Sequence, residues 1–236
     1  MSVTARFRFG RKGPVRFLGH LDMLRYFQRA VMKSGIPAKY SEGFHPHQLM
    51  SFAYPLAVSM ETEGDYMDLD LAEERPADEI LGSLNAVMHE GVWVSRVSIL
   101  GEGAANAMAL VAAADYRIFT GYAKEALMQA CDGLLASESI LIEKSKKNGK
   151  KKKETIQKDI RPGILRLEAE GDGALFMKLV SGSGMNVRPA DILSLIVEKC
   201  GEDSRDPLIR RLEIYGEEGG ELLPLSDCEG GKKSGE

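Results

Sequence analysis

Residues Val3 to Phe9 alternate strictly between apolar and polar side chains. Val3, Ala5, Phe7 and Phe9 fall on one side of an extended chain; Thr4, Arg6 and Arg8 fall on the other. A period of two belongs to a strand, so the segment predicts a half-buried strand. A strand with one apolar face needs neighbouring strands to pair with and helices to cover it. The residues that follow meet both needs. Gly10 to Pro14 reads as a turn. Leu21, Leu24, Phe27 and Val31 lie near helical spacing and predict a helix over about 21–34, stopped by Gly35 with Pro37 beyond. Residues 36–60 read as strand or loop, broken by Pro46 and Pro55. Asp65 to Leu71 alternates again, with Met67, Leu69 and Leu71 inward. Pro76 opens a helix to about Met88, and Val92 to Leu100 closes as a strand. The order is β-α-β-β-α-β, the ferredoxin-like pattern.

The order recurs after a Gly/Ala-rich stretch over 101–112, which reads as a linker with some helical character. Asp115 to Tyr122 is a strand, and Lys124 to Ala136 a helix built on Leu127, Cys131 and Leu134. Ser139 to Lys144 and Glu154 to Ile160 form a hairpin through a lysine-rich loop. Ile164–Glu170 and Leu175–Val180 form another about Gly171-Asp172-Gly173. Pro189 opens a helix to Lys199, and Leu208 to Tyr215 is the last strand. The fold class expected is α+β: two tandem ferredoxin-like (βαββαβ) units, the second elaborated by an extra hairpin. The domains expected are residues 1–100, a linker at 101–112, residues 113–216, and a disordered acidic tail at 217–236.

Composition narrows the function. The formal net charge is only −4, but it is unevenly placed. Residues 1–40 hold nine Lys/Arg against Asp22 alone, whereas residues 61–90 hold ten acids against Arg75 alone. Residues 144–153 add seven lysines. Such segregation makes an electrostatic footprint for an anionic partner. The three cysteines, Cys131, Cys200 and Cys228, are far apart. That spacing fits a reducing cytoplasm and excludes a CxxC zinc site or an iron–sulfur cluster held by closely spaced cysteines. No run reaches signal-peptide or membrane-spanning length, so a cytoplasmic protein without a membrane partner is expected.

Two polar phrases carry three of the four histidines. One is Arg16-Phe17-Leu18-Gly19-His20-Leu21-Asp22; the other is Glu42-Gly43-Phe44-His45-Pro46-His47. They flank the first predicted helix. Three readings of His20, Asp22 and His47 stand side by side. Asp22 can balance the helix dipole while the histidines bond their own loops. His47 and the helix N-terminus can bind a phosphate or substrate. Imidazoles with a carboxylate can hold a divalent metal, although no HExxH-type spacing supports it.

The basic residues divide in the same manner. Arg6 and Arg8 suggest an RNA platform on the sheet. However, Asp68 and Asp70 on the neighbouring third strand face the same side and pair them off. Arg11, Lys12 and Arg16 lack local acidic partners and are anion-binding candidates. Lys146, Lys147, Lys150, Lys151, Lys152 and Lys153 at the hairpin tip can meet a phosphate backbone. Arg161 joins this set. Ser181 to Pro189 is a glycine-containing loop entering a helix; it lacks GxGxxG and the P-loop lysine, and reads as a tight connection.

Several ordered motifs then point to a family. Phe7-Arg8-Phe9, Arg16-Phe17-Leu18, His20-Leu21-Asp22, Tyr40-Ser41-Glu42-Gly43-Phe44, His47, Ser51-Phe52-Ala53, Glu63-Gly64-Asp65-Tyr66, Asp159-Ile160-Arg161-Pro162 and Asn186-Val187-Arg188-Pro189 resemble the radical SAM-linked domain of unknown function. That domain stands alone or is fused behind a radical SAM enzyme. In its pattern the loop reads Gly-Phe-Asn-Pro-His-Pro. Here His45 takes the Asn place and Gln48 the second Pro place, which weakens His45 as a ligand. The resemblance implies accessory work beside a radical SAM enzyme, which would carry the iron–sulfur cluster and SAM; this chain lacks CxxxCxxC. No cofactor is expected in this chain. The expected function is an accessory binding protein that recognises an anionic substrate such as tRNA or rRNA. The alternatives are a stand-alone enzyme built on His20, Asp22 and His47, and a purely structural docking partner.

Overall fold

The computed structural model describes residues 3–148, 152–182, 184–201 and 206–228, with side chains from 144 to 155 left out. The fold is mixed α+β and mostly antiparallel. Two compact units divide it: unit 1 runs through Ala113 and resumes from Arg210, and unit 2 is Ala114–Ile209.

Unit 1 begins with β1 (Val3–Arg11), a short 3-10 turn (Gly13–Phe17), α1 (His20–Ser34), β2 (Met50–Phe52), β3 (Glu61–Leu71), α2 (Ala77–Asn85) and β4 (Val92–Leu100). The strand β1 lies between β4 and β3, antiparallel to both. The far edge of β3 is shared. Met50 and Phe52 of β2 face Leu69 and Met67 there, antiparallel. Toward the start of β3, Glu61 and Thr62 pair in parallel with Arg210 and Arg211. Helices α1 and α2 cover one face of the sheet. Phe7, Phe9, Phe27, Val31, Met67, Leu69, Ile80 and Leu84 form that core. The predicted helix face is partly corrected: Met23 is buried, while Leu21 points outward at 63% exposure. Leu21 sits in the first turn, where one residue of register separates the core face from solvent.

The other face of the sheet is closed as well. Arg6 is buried there, and its guanidinium pairs with both oxygens of Asp68, at 2.8 Å from Nε and 3.0 Å from Nη2. Arg8 takes Glu213 instead of Asp70, at 3.0 Å, and Thr4 donates to Asp70. Tyr66 is buried and donates to Glu213 at 2.7 Å. Its phenol is pushed far up, first by burial and then by the Glu213 charge. On this face Arg6, Arg8 and Tyr66 are all engaged within the protein.

What closes the face is chain that sequence reading set aside. Residues 101–112 are not a free linker. Asn106 caps the one-turn helix α3 (Ala107–Leu110), and the buried Ala107 donates its N–H to Asp68. The expected acidic tail is structured as far as residue 228. The strand β10 (Leu208–Glu218) turns back through β11 (Glu221–Pro224). Leu225 and Cys228 are buried, and the Leu225 carbonyl accepts from Arg6. Averaged composition hid the apolar run Leu222-Leu223-Pro224-Leu225 inside its acidic, glycine-rich surroundings. Residues 229–236 lie outside the described set. The last strand, expected to complete a second domain, therefore belongs to unit 1 from Arg210 onward. Gly64 permits this. A Cβ there would stand 2.3 Å from the Leu212 carbonyl oxygen.

Unit 2 contains the rest of β5 (Val111–Phe119), then α4 (Lys124–Leu135), β6 (Leu141–Asn148), β7 (Lys152–Asp159), β8 (Ile164–Ala169), β9 (Ala174–Val180) and α5 (Pro189–Cys200). Its sheet runs in the order β5-β9-β8, and β6–β7 form a separate two-stranded sheet. The helix α4 packs on β8 and α5. The glycine loop is a tight connection, with Gly182 N–H bonded to the Met185 carbonyl. The three cysteines are free thiols. Burial pushes Cys131 up to about 11, so it is a poor nucleophile at neutral pH.

Replacing Asp68 by Asn leaves a buried guanidinium without its counter-charge. Asp68→Asn is expected to lower the unfolding free energy by about 3–5 kcal/mol in urea titration. Arg6→Met with Asp68→Leu should recover much of that loss. A single-variant loss near zero shows that the pair does not hold this face.

Candidate functional site

The histidine phrases do not assemble into a metal centre. Among the described residues, no group of three or more His, Cys, Asp or Glu side chains could hold an ion. His20 opens α1, and its ring stacks edge-on against Phe52, 5.4 Å between centroids. Asp22, in the first helical turn, lies 3.5 Å from Arg25, and both side chains are more than half exposed. That geometry is dipole balance with a solvent-screened pair, a weak interaction. His47 is tied into its own loop. Ser41 lies 2.9 Å from its Nδ1 and accepts its backbone N–H at 3.1 Å. Phe44 at the tip of this loop is fully exposed.

The expected anion contacts separate. Arg11 is buried, not presented to solvent. Its two terminal nitrogens donate to the carbonyls of Leu18 and Ala57, both at 3.0 Å. It acts as a strut joining two loops. Burial lowers its pKa; Asp65 works against that and Arg211 with it. The guanidinium stays charged at neutral pH. Arg11 and His20 line a recess of about 20 Å³ with Phe52, Tyr54 and Asp65, which is space for one water. It is too small for a substrate. Arg161 in unit 2 also has a structural task, donating to the Leu135 carbonyl at the end of α4 at 2.9 Å. Of the hairpin lysines, Lys150 and Lys151 lie outside the described residues. Lys146, Lys147, Lys152 and Lys153 are described as backbone alone, in the register Lys146↔Glu154, Lys147↔Lys153 and Asn148↔Lys152.

Lys12 and Arg16 remain, and the structure adds residues to them. A larger recess in unit 1, about 230 Å³, is lined by Arg11, Lys12, Thr62, Glu63, Trp93 and Arg210. Trp93 reaches it from β4. Its register partner on β1 is Gly10, and a Cβ there would come within 2.2 Å of the indole. Glycine therefore lets the ring lie across β1. The Lys12 ammonium is 5.6 Å from the ring centroid, within cation–π range. Arg210 reaches Glu61 at 2.8 Å and Glu63 at 3.1 Å. Arg16 stacks on Phe17 at 4.8 Å and stands 3.9 Å from Glu61. Behind them Arg211 and Asp65 form a buried pair at 2.6 Å, shared with Thr62. That pair cancels. Among the residues lining the recess, the cations Arg11, Lys12 and Arg210 outnumber the single carboxylate Glu63.

Sequence reading missed Trp93, Arg210 and Glu61. The available signals were the lone tryptophan in a strand flanking β1 and the Arg210-Arg211 pair. Both arginines fall in the segment 113–216 expected to form another domain, and nothing local in the sequence sets them beside Lys12.

Glu61 organises the recess. It accepts the Gly13 N–H at 2.9 Å and two nitrogens of Arg210. Burial works to raise its pKa; the Gly13 N–H and Arg210 outweigh this and hold it below the ordinary carboxylate value. A group depressed in the folded state adds stability above its unfolded pKa, about 4.3, and loses it as pH falls through the folded value. The unfolding free-energy gap between the native protein and Glu61→Gln should therefore narrow as pH is lowered from about 5 to about 3. Urea titrations at fixed temperature check this. A constant gap would mean that these contacts do not favour the ionised form.

Comparison with known proteins gives a family and little else. A family model described as an uncharacterized protein conserved in bacteria (DUF2344) matches residues 5–189. No curated protein matches. Among solved structures, the chain is similar to a crystal structure of an unknown protein from Galdieria sulphuraria, at 11% identity and TM-score 0.28, covering 89% of this chain and 98% of that one. No described helix is long and apolar enough to cross a membrane.

Proposed function

We propose, from the premise that this chain belongs to the uncharacterized bacterial family DUF2344, that it is a binding protein for an anionic polymer. RNA, such as tRNA or rRNA, is the substrate class, and the protein serves as an accessory to a radical SAM enzyme. The observation that carries the binding half is the recess whose lining cations Arg11, Lys12 and Arg210 outnumber its one carboxylate, Glu63. Lys12 is exposed and compact, a point charge suited to a phosphate. The accessory half rests on the motif resemblance. Exposed Phe17, Leu21 and Phe44 beside the histidine phrases support it as a protein contact. The cluster and SAM would belong to that partner, and the setting would be cytoplasmic. The architectural reading goes with this: unit 1 as a ferredoxin-like β-α-β-β-α-β fold, with a second such unit elaborated by β6–β7.

A stand-alone enzyme built on His20, Asp22 and His47 has less behind it, since His47 is engaged with Ser41 and Asp22 with Arg25. The docking-partner alternative differs from the main reading only in lacking RNA, and the same experiment separates them.

The test is gel retardation of total tRNA and rRNA fragments across a salt series. Retardation is expected at about 50 mM salt, with log affinity falling linearly against log salt, and Lys12→Ala should flatten that slope. If natively folded protein retards no RNA at this salt, the RNA reading fails. Co-purification with a radical SAM enzyme in that case favours the docking role.

A further inference from the structure

Resting on the RNA reading, we propose that the Trp93 recess takes one unstacked nucleotide of a single-stranded segment, with its base against the indole and its phosphate at Lys12. The volume comes first. Pockets for whole small ligands run to roughly 300–1,000 Å³. This one is about 230 Å³, which suits one residue of a polymer better than a complete cofactor. The wall comes second. Trp93 is the only tryptophan of the chain, and Gly10 leaves space for its ring to lie across the strand. A base stacks on such a surface without regard to sequence.

The charges complete the argument. Lys12 already stands over the ring at 5.6 Å. Its flexible stem can carry the ammonium from the ring to a phosphate when a base arrives. Arg210 is held in place by Glu61 and Glu63, so it adds a fixed positive field. Glu63, about half exposed at its side chain, presents an acceptor to the hydroxyls of the sugar. RNA-binding surfaces combine these elements, a π-face with cations along the backbone path. The closed face of the sheet at Tyr66 cannot serve instead, because its phenol is buried and bonded to Glu213.

A single tryptophan makes the test direct, since all tryptophan emission comes from this recess. The full chain is titrated with a fluorescein-labelled single-stranded oligoadenylate at low salt. Anisotropy reports binding, and unlabelled oligoadenylate in a parallel titration reports tryptophan emission. Saturable quenching is expected at the same midpoint as the anisotropy change. Trp93→Leu should weaken binding by about five- to hundredfold, the range that loss of one base stack produces. Trp93→Phe keeps a ring on Gly10 and should retain most of the affinity. Lys12→Ala, at an exposed position, should weaken binding and flatten its salt dependence. If the oligonucleotide binds while emission and the Trp93→Leu affinity stay unchanged, the recess proposal is overturned and the RNA reading stands. If neither the oligonucleotide nor structured RNA binds folded protein, both are overturned.

Discussion

One buried ion pair ties unit 1 together. Arg6 and Asp68 meet through two parallel hydrogen bonds on adjacent strands. Arg6 also donates to the carbonyls of Ala105 and Leu225, and Asp68 accepts the Ala107 N–H. Two pieces of chain remote in sequence thus converge on two side chains. Stripping both charges of water is costly, and the pair is tolerable only because nearly every donor and acceptor is used. The covering segments and the pair therefore require each other. Without residues 105–107 and 225, the pair would be an ordinary surface contact of small value.

That closure decides where a ligand can go. A four-stranded sheet with one open face suggests binding on the face, and Arg6, Arg8 and Tyr66 have the right chemistry for it. All three are engaged within the protein, by Asp68 and Glu213. The accessible chemistry is displaced to the end of β1, where the strand gives way to Lys12 and the following turn. There the Gly10–Trp93 pair, the Lys12 ammonium and the Glu61–Arg210 contact make a recess with both a π-face and surplus positive charge.

Local regularity made much of unit 1 legible. Alternation at Val3–Phe9 and Asp65–Leu71 located β1 and β3 and set Asp68 and Asp70 on the same face as Arg6 and Arg8; the register then pairs Arg6 with Asp68. Asp70 shares that face but lies opposite Thr4, which donates to it, while Arg8 lies opposite Tyr66 and takes Glu213 of β10. The site was less legible. Histidines drew attention as chemically versatile residues, but His20 rests on Phe52 and His47 on Ser41. Arg11 looked free because its partners are backbone carbonyls, which no side-chain inventory reveals. The segment at 101–112 read as a linker and the tail from 217 as disordered, because composition averages over the few apolar residues that pack.

The sequence by itself determined the elements, their amphipathic faces and the excess of positive charge near the start of the chain. Those follow from periods of two and 3.6 and from residue type, which are local properties. Tertiary structure alone decided which charges are spent and which stay available. The parallel pairing of Arg210 and Arg211 with Glu61 and Thr62 joins residues about 150 positions apart. It depends on Gly64 admitting a backbone to within 2.3 Å of where a Cβ would sit. Long-range contacts of this kind leave no periodic trace in the chain. They set Arg210 and Glu61 beside Trp93 and Lys12, and so made a recess from residues that no motif connects.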